Sequence, residues 1–184
     1  MGAKKMWSRQ NGTLTKAVAS ATLAGLALLV PSGPATADTA TNVTFTTIEA
    51  GGGPGIVIAS GAISGVGTET NNEGQKGPGQ PFQDVMTFPQ GELFQTVAPA
   101  GRPQIQFDPN TCVVRIVEPQ STTVTGGTKA FATATGFGTS TAHITIIENR
   151  GSDGTCQQPP APPRFLLAIV HGTGTVTADG SSHA

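Results

Sequence analysis

At 184 residues, with 36% hydrophobic and 11% charged residues and a formal net charge of −1, the chain has neither the basic surplus of a nucleic-acid binder nor the charge of a disordered segment. The 25 glycines and 14 prolines favour turns and extended chain over long helices. Tyr is absent and the single Trp is Trp7, which weighs against the aromatic platforms that bind polysaccharides.

Met1–Ala37 reads as a secretory signal. Lys4, Lys5, Arg9 and Lys16 stand without an acid, Ala17–Val30 is an apolar core too short to span a bilayer, and Ala35-Thr36-Ala37 is a small-x-small cleavage site. Cleavage after Ala37 predicts a secreted protein with one domain over 38–178 and a disordered tail over 179–184. All 11 acids follow the leader but only six of the 10 bases do, a net charge of −5 that argues against nucleic acid and anionic membranes as partners.

Beyond the leader the hydrophobic pattern is that of β-strands. Asn42–Glu49 (NVTFTTIE) alternates and forms a first strand, the Gly51–Gly55 cluster breaks it, and Ile56–Thr70 is expected as a second long strand kinked at its glycines. Asn71–Pro81 is polar and rich in Gly and Pro, a surface loop. It lacks the Gly-Lys-Ser/Thr ending of a phosphate-cradling loop. Phe82–Phe88 and Glu92–Val97 flank Pro89-Gln90-Gly91 as a hairpin, with Pro89 where its fixed φ favours a turn. Gln104–Phe107 is a short strand, Asp108-Pro109-Asn110 a turn, and Thr111–Val117 a strand ending at Glu118-Pro119.

Gly126–Ile147 (GGTKAFATATGFGTSTAHITII) organises the domain. Its even positions are small or apolar and its odd positions rich in Thr. One straight strand of that length would exceed about 60 Å, so the chain must bend, at Gly136 or Gly138. Strongly coiled, glycine-kinked strands are what closing a sheet into a barrel demands. No window after Val30 keeps a 3.6-residue period, which confines helix to a turn around Thr128–Ala132. Asn149–Pro163 is a long loop stiffened by prolines, and Arg164–Thr177 is apolar on both faces, as in a strand buried between neighbours.

Cys112 and Cys156 are the only cysteines, and an even pair in an exported chain favours one disulfide. No His, Cys or Asp cluster has metal-ligand spacing, and no cofactor is implied. Asp84, Glu92, Glu118, Glu148 and Asp153 fall at strand ends or turns, where solvated carboxylates are expected. His143 alternates with Thr141 and Thr145 and is expected to face outward; His171, next to Gly172 after an apolar run, is the candidate for a semi-buried imidazole. The residues expected to line a lumen are Ala134, Gly136, Gly138, Ala142, Ile144 and His171.

Phe88–Gly91, Phe107–Cys112, Gly126-Gly127-Thr128 with Phe131, Ala134, Gly136 and Gly138, and the Gly154-Thr155-Cys156 loop together resemble secreted actinobacterial proteins of the allene oxide cyclase-like barrel class. Plant allene oxide cyclases and dirigent proteins carry a related glycine-rich turn. The resemblance covers about Pro81–Thr177 and implies an antiparallel eight-stranded barrel with an apolar lumen, multimeric in the plant relatives. Lys129 and Thr133 stand where that turn more often repeats glycine, and no position takes the plant catalytic or stereo-directing acids. Two readings follow: a non-catalytic exported barrel that binds a small apolar molecule or a partner protein, and an isomerase that steers a reactive intermediate inside an apolar lumen. A buried carboxylate or His171 projecting into that lumen distinguishes them.

Overall fold

The computed structural model describes residues 40–73, 79–157 and 161–178; the expected leader over 1–37 and the expected tail over 179–184 lie outside them. Among the described residues nine antiparallel strands form one sheet: β1 Thr41–Ala50, β2 Gly55–Gly61, β3 Gly65–Asn71, β4 Phe82–Phe88, β5 Gly91–Pro99, β6 Gln104–Asp108, β7 Val113–Gly127, β8 Thr135–Ile147 and β9 Phe165–Thr177. Their order, β5-β4-β3-β2-β1-β9-β8-β7, closes through a β5–β7 pairing into an eight-stranded barrel. Strand β6 stands outside the ring, paired with the first part of β7.

The strand boundaries follow turn chemistry, with two differences from the sequence reading. Ile56–Thr70 is two strands, because Gly61 and Gly65 take φ of 101° and 135° and reverse the chain between them. Conversely, β7 runs straight through Glu118-Pro119. The Pro119 carbonyl accepts the Ala100 N–H, so the side that lacks a donor faces the seam where β7 changes partner from β6 to β5. A proline costs a strand little where the ladder is already interrupted. The expected helical turn is a 3-10 turn over Lys129–Phe131, and there, not at Gly136 or Gly138, the long central stretch bends.

Gly138 and Gly174 pair directly across β8 and β9. A Cβ on Gly138 would lie 2.7 Å from the Thr173 carbonyl oxygen and 3.2 Å from Gly174 Cα, so this close backbone approach admits only glycine. Phe45 on β1 pairs with Gly172 on β9 and lays its ring over it, in the space a side chain would fill.

Cys112 and Cys156 form the expected disulfide, with Cα atoms 5.4 Å apart. Around it, Arg150 donates to the Gly154 and Asn110 carbonyls at 2.6 and 2.7 Å, and Asp108 accepts from Asn110 N and the Thr111 hydroxyl. The bridge ties the loop after β8 to the β6–β7 turn.

Candidate functional site

Alternation along each strand sends one set of side chains inward. The inward set divides the lumen into two unlike halves. One half is closed and apolar. Val43, Val57, Ala59, Ile63, Met86, Phe88, Leu93, Val124 and Val176 pack there with Phe131 and Ala134 from the turn before β8. The Phe88 and Phe131 rings meet edge to face at 6.2 Å. A cavity of about 30 Å³ remains.

The other half is acidic. Glu49 from β1, Glu69 from β3, Glu73 just beyond it and Asp84 from β4 line a second cavity of about 50 Å³ with Thr47, Asn71, Gln95, Gln120 and Ser140. Among the described residues no Lys, Arg or His lines it. Asp84 is 3% exposed and Glu69 9%. The Gln95 amide donates to Asp84 Oδ2, and the Ser140 hydroxyl to Gln120 Oε1 at 3.1 Å. Asp84 Oδ1, Glu69 Oε2 and the Thr47 hydroxyl, all buried, have no hydrogen bond of ordinary geometry, although Thr47, Asn71 and Asp84 stand near enough to Glu69 to stabilise its charge.

These surroundings disfavour negative charge. Loss of water around Asp84, and secondarily the nearby Glu69, push its pKa from 3.8 up to about 8, against the opposing Gln95 bond. Glu69 is raised first by burial and then by Glu49, tempered by Thr47, Asn71 and Asp84. Burial also raises Glu49 and Glu73, and Glu118, Glu49 and Glu69 add repulsion at Glu73. At neutral pH the well therefore holds at least one neutral carboxylic acid, able to donate a hydrogen bond or a proton.

Above this well the barrel wall continues on one side only. The inward face of the extended β6–β9 sheet carries two cross-strand rows, Ile105–Ile116–Ile144–Ala168 and Phe107–Val114–Ile146–Leu166. Ile105 is 62% exposed and Phe107 44%. The acidic well thus opens beneath an apolar lip. For the same reason the first half of β9 is half-exposed and not buried between neighbours as its sequence suggested.

The expected lining residues divide. Ala142 and Ile144 line the acidic half, Gly138 borders the apolar half, Gly136 lies in the wall two residues before it, and Ala134 is fully buried in the plug below. His171 is corrected: it is exposed on the outer face, where its Nδ1 is 3.1 Å from the Thr46 hydroxyl and its ring 6.5 Å from that of His143. Alternation requires this, since Gly172 points inward and its neighbour must point out.

Two carboxylates expected in water are also buried. Asp84 lies mid-strand between inward Phe82 and Met86, and Glu148 follows β8 at 8% exposure, its N–H donating to the Cys112 carbonyl. Glu92 and Glu118 are half-exposed and Asp153 exposed. Nothing in the sequence pattern singles out Glu49, Glu69 or Glu73. The phase of alternation could have found Asp84, which shares the inward face of FQDVMTF with three apolar residues.

No family model, curated protein or solved structure matches the chain. Among the described residues no helix is long and apolar enough to cross a membrane, and no three His, Cys, Asp or Glu side chains converge as a metal-binding set.

Proposed function

We propose that the protein is an exported, non-catalytic barrel that binds a small molecule in its lumen, entered from the carboxylate end. The observation that carries this reading is the set of buried, unpaired polar atoms on Asp84, Glu69 and Thr47 around one small cavity. Such atoms destabilise a fold unless a guest or water supplies their missing hydrogen bonds. The apolar lip beside the well favours a ligand with a polar head and an apolar body over the wholly apolar ligand expected from the sequence. Export through the Met1–Ala37 leader accords with the Cys112–Cys156 bond, since disulfides persist in oxidising compartments.

Native mass spectrometry of the protein purified from its own culture medium tests this reading. The expected result is an adduct of small-molecule mass on the wild type that is lost in Ala168→Trp, which fills the mouth of the well. An adduct retained by Ala168→Trp, or none on the wild type, would remove its support.

A second reading, an isomerase of the allene oxide cyclase-like or dirigent-like kind, is favoured by one observation. Asp84, whose pKa is pushed up to about 8 by burial and by Glu69, has the protonation state of a general acid at neutral pH. The resemblance of Pro81–Thr177 to that barrel class supports the same reading. Its test is turnover: a reactive polyene or radical substrate released as one stereoisomer by the wild type and as a mixture by Asp84→Asn.

A further inference from the structure

The polar atoms left unpaired in the well share one property: in the ionised state of the carboxylates all three are hydrogen-bond acceptors. Asp84 Oδ1 and Glu69 Oε2 accept only, and the Thr47 hydroxyl accepts through its lone pairs. With both acids ionised, the Thr47 hydroxyl supplies one donor, toward Glu69, and Asp84 Oδ1 is left without one. A primary ammonium presents three N–H donors from one atom. The cavity of about 50 Å³ has room for such a head and for little more.

Charge points the same way. Glu49 comes from β1, Glu69 from β3, Glu73 from the segment after it, Asp84 from β4 and Glu118 from the rim on β7. The inward residues of β2, β5, β8 and β9 that border them, Val57, Gln95, Ser140 and Val170 among them, carry no charge, so among the described residues no cation lines this cluster. A metal ion is the poorer fit, because among the described residues the carboxylates do not converge as a set of three ligands. Beyond the head, the rows from Ile105 to Ala168 and from Phe107 to Leu166 offer an apolar track that starts at the mouth.

We infer that the carboxylate end of the lumen is a site for the protonated amine of an amphipathic organic cation, whose apolar body lies along the β6–β9 lip. The inference rests on the lumen being a binding site, as proposed above, and adds the charge and shape of the ligand. Binding favours ionised carboxylates, so the site exchanges protons for the guest and its affinity rises with pH through the range in which Asp84 ionises.

The test is titration calorimetry of the secreted protein with three probes of equal chain length, octylammonium chloride, 1-octanol and sodium octanoate, below their micelle limits. At about pH 8 octylammonium is expected to bind at least about 10-fold tighter than 1-octanol, with octanoate silent. Asp84→Asn and Glu69→Gln are each expected to weaken octylammonium about 10-fold and to leave 1-octanol unchanged. From about pH 6 to 8 the octylammonium affinity rises in the wild type and stays level in Asp84→Asn.

Equal binding of octylammonium and 1-octanol overturns the ammonium site and leaves lumenal binding standing. Silence from all three probes also overturns it; a mass-spectrometric adduct would then show that the lumen binds a ligand of another class. Undiminished octylammonium binding in both variants, or its displacement by millimolar calcium chloride, equally defeats the assignment.

Discussion

The two halves of the lumen are built by the same strands in one register, yet they follow opposite rules. On β4 the inward residues are Phe82, Asp84, Met86 and Phe88; on β1 they are Val43, Phe45, Thr47 and Glu49. Moving along either strand crosses from apolar packing, with Phe45 and Met86 at the divide, to acids with no cation among the described residues that line their cavity. The closed half supplies stability, since each aromatic buried there contributes about 1.5–3 kcal/mol. The acidic half withdraws some of it. A barrel selected only for stability would have no reason to bury acids, and the proposed binding site rests on that difference.

The sharpest way to separate the halves is to damage the closed one. Phe131→Ala removes the ring that packs edge to face on Phe88 and leaves a cavity in the plug. It should cost about 3–5 kcal/mol in a denaturant titration, with the midpoint falling and the slope preserved. Ligand binding at the far end should persist in the folded fraction. If Phe131→Ala abolished binding without lowering stability, the two halves would not be separable.

Next in size is the disulfide. Closing a loop of about 45 residues restricts the unfolded chain by roughly 4 kcal/mol, of which real bridges often deliver less. Cys112→Ser and Cys156→Ser should each lower stability by about 2–4 kcal/mol, the double variant no more than either single, and proteolysis should then begin in Asn149–Pro163. Cleavage starting elsewhere would show that the bond does not hold that loop. Smaller still, Gly138→Val should cost about 1–3 kcal/mol by forcing apart the strands that meet at Gly138 and Gly174, whereas outward Thr139→Val should leave the melting temperature nearly unchanged.

The architecture was legible because strand alternation and turn glycines are local signals. The all-β class, the 82–88 and 91–99 hairpin, the turn near Lys129 and the cysteine pairing follow from residues that are neighbours or that leave few choices. The seam at Pro119 was not legible, because only the change of strand partner there makes a proline acceptable mid-strand. The acidic well was legible only in part. Asp84 lies on the apolar phase of its strand, a visible conflict between residue and position. Glu49 and Glu69 show no such conflict in sequence, since Thr47 and Gly67 precede them on their faces. Their meeting depends on β1 and β3 standing one strand apart in a closed ring, with the carboxylates of both turned to one cavity. His171 misled for the opposite reason: an apolar run before it suggested burial, while the lip strands that carry that run are half-exposed.

The last expected effect is the smallest and comes from the acidic half itself. Asp84 has its pKa raised in the folded protein, from 3.8 to about 8, chiefly by loss of water and then by Glu69. Between those values the folded state holds a proton that the unfolded state has released, so stability falls as pH rises, the reverse of an acid held in a salt bridge. The loss starts as pH passes the unfolded value near 3.8 and is complete above about 8. The limiting slope is about 1.4 kcal/mol per pH unit, and relaxation of the site with entry of water leaves about 1–2 kcal/mol over the window. The wild type should therefore melt at a lower temperature at pH 8 than at pH 5, and Asp84→Asn should flatten that dependence and gain stability at pH 8. Phe131→Ala, in the closed half, should lower both melting temperatures and keep their difference. A wild type whose stability rises from pH 5 to 8 would mean that Asp84 is ionised in the folded barrel, and the contrast between the two halves would then have to be drawn in packing alone.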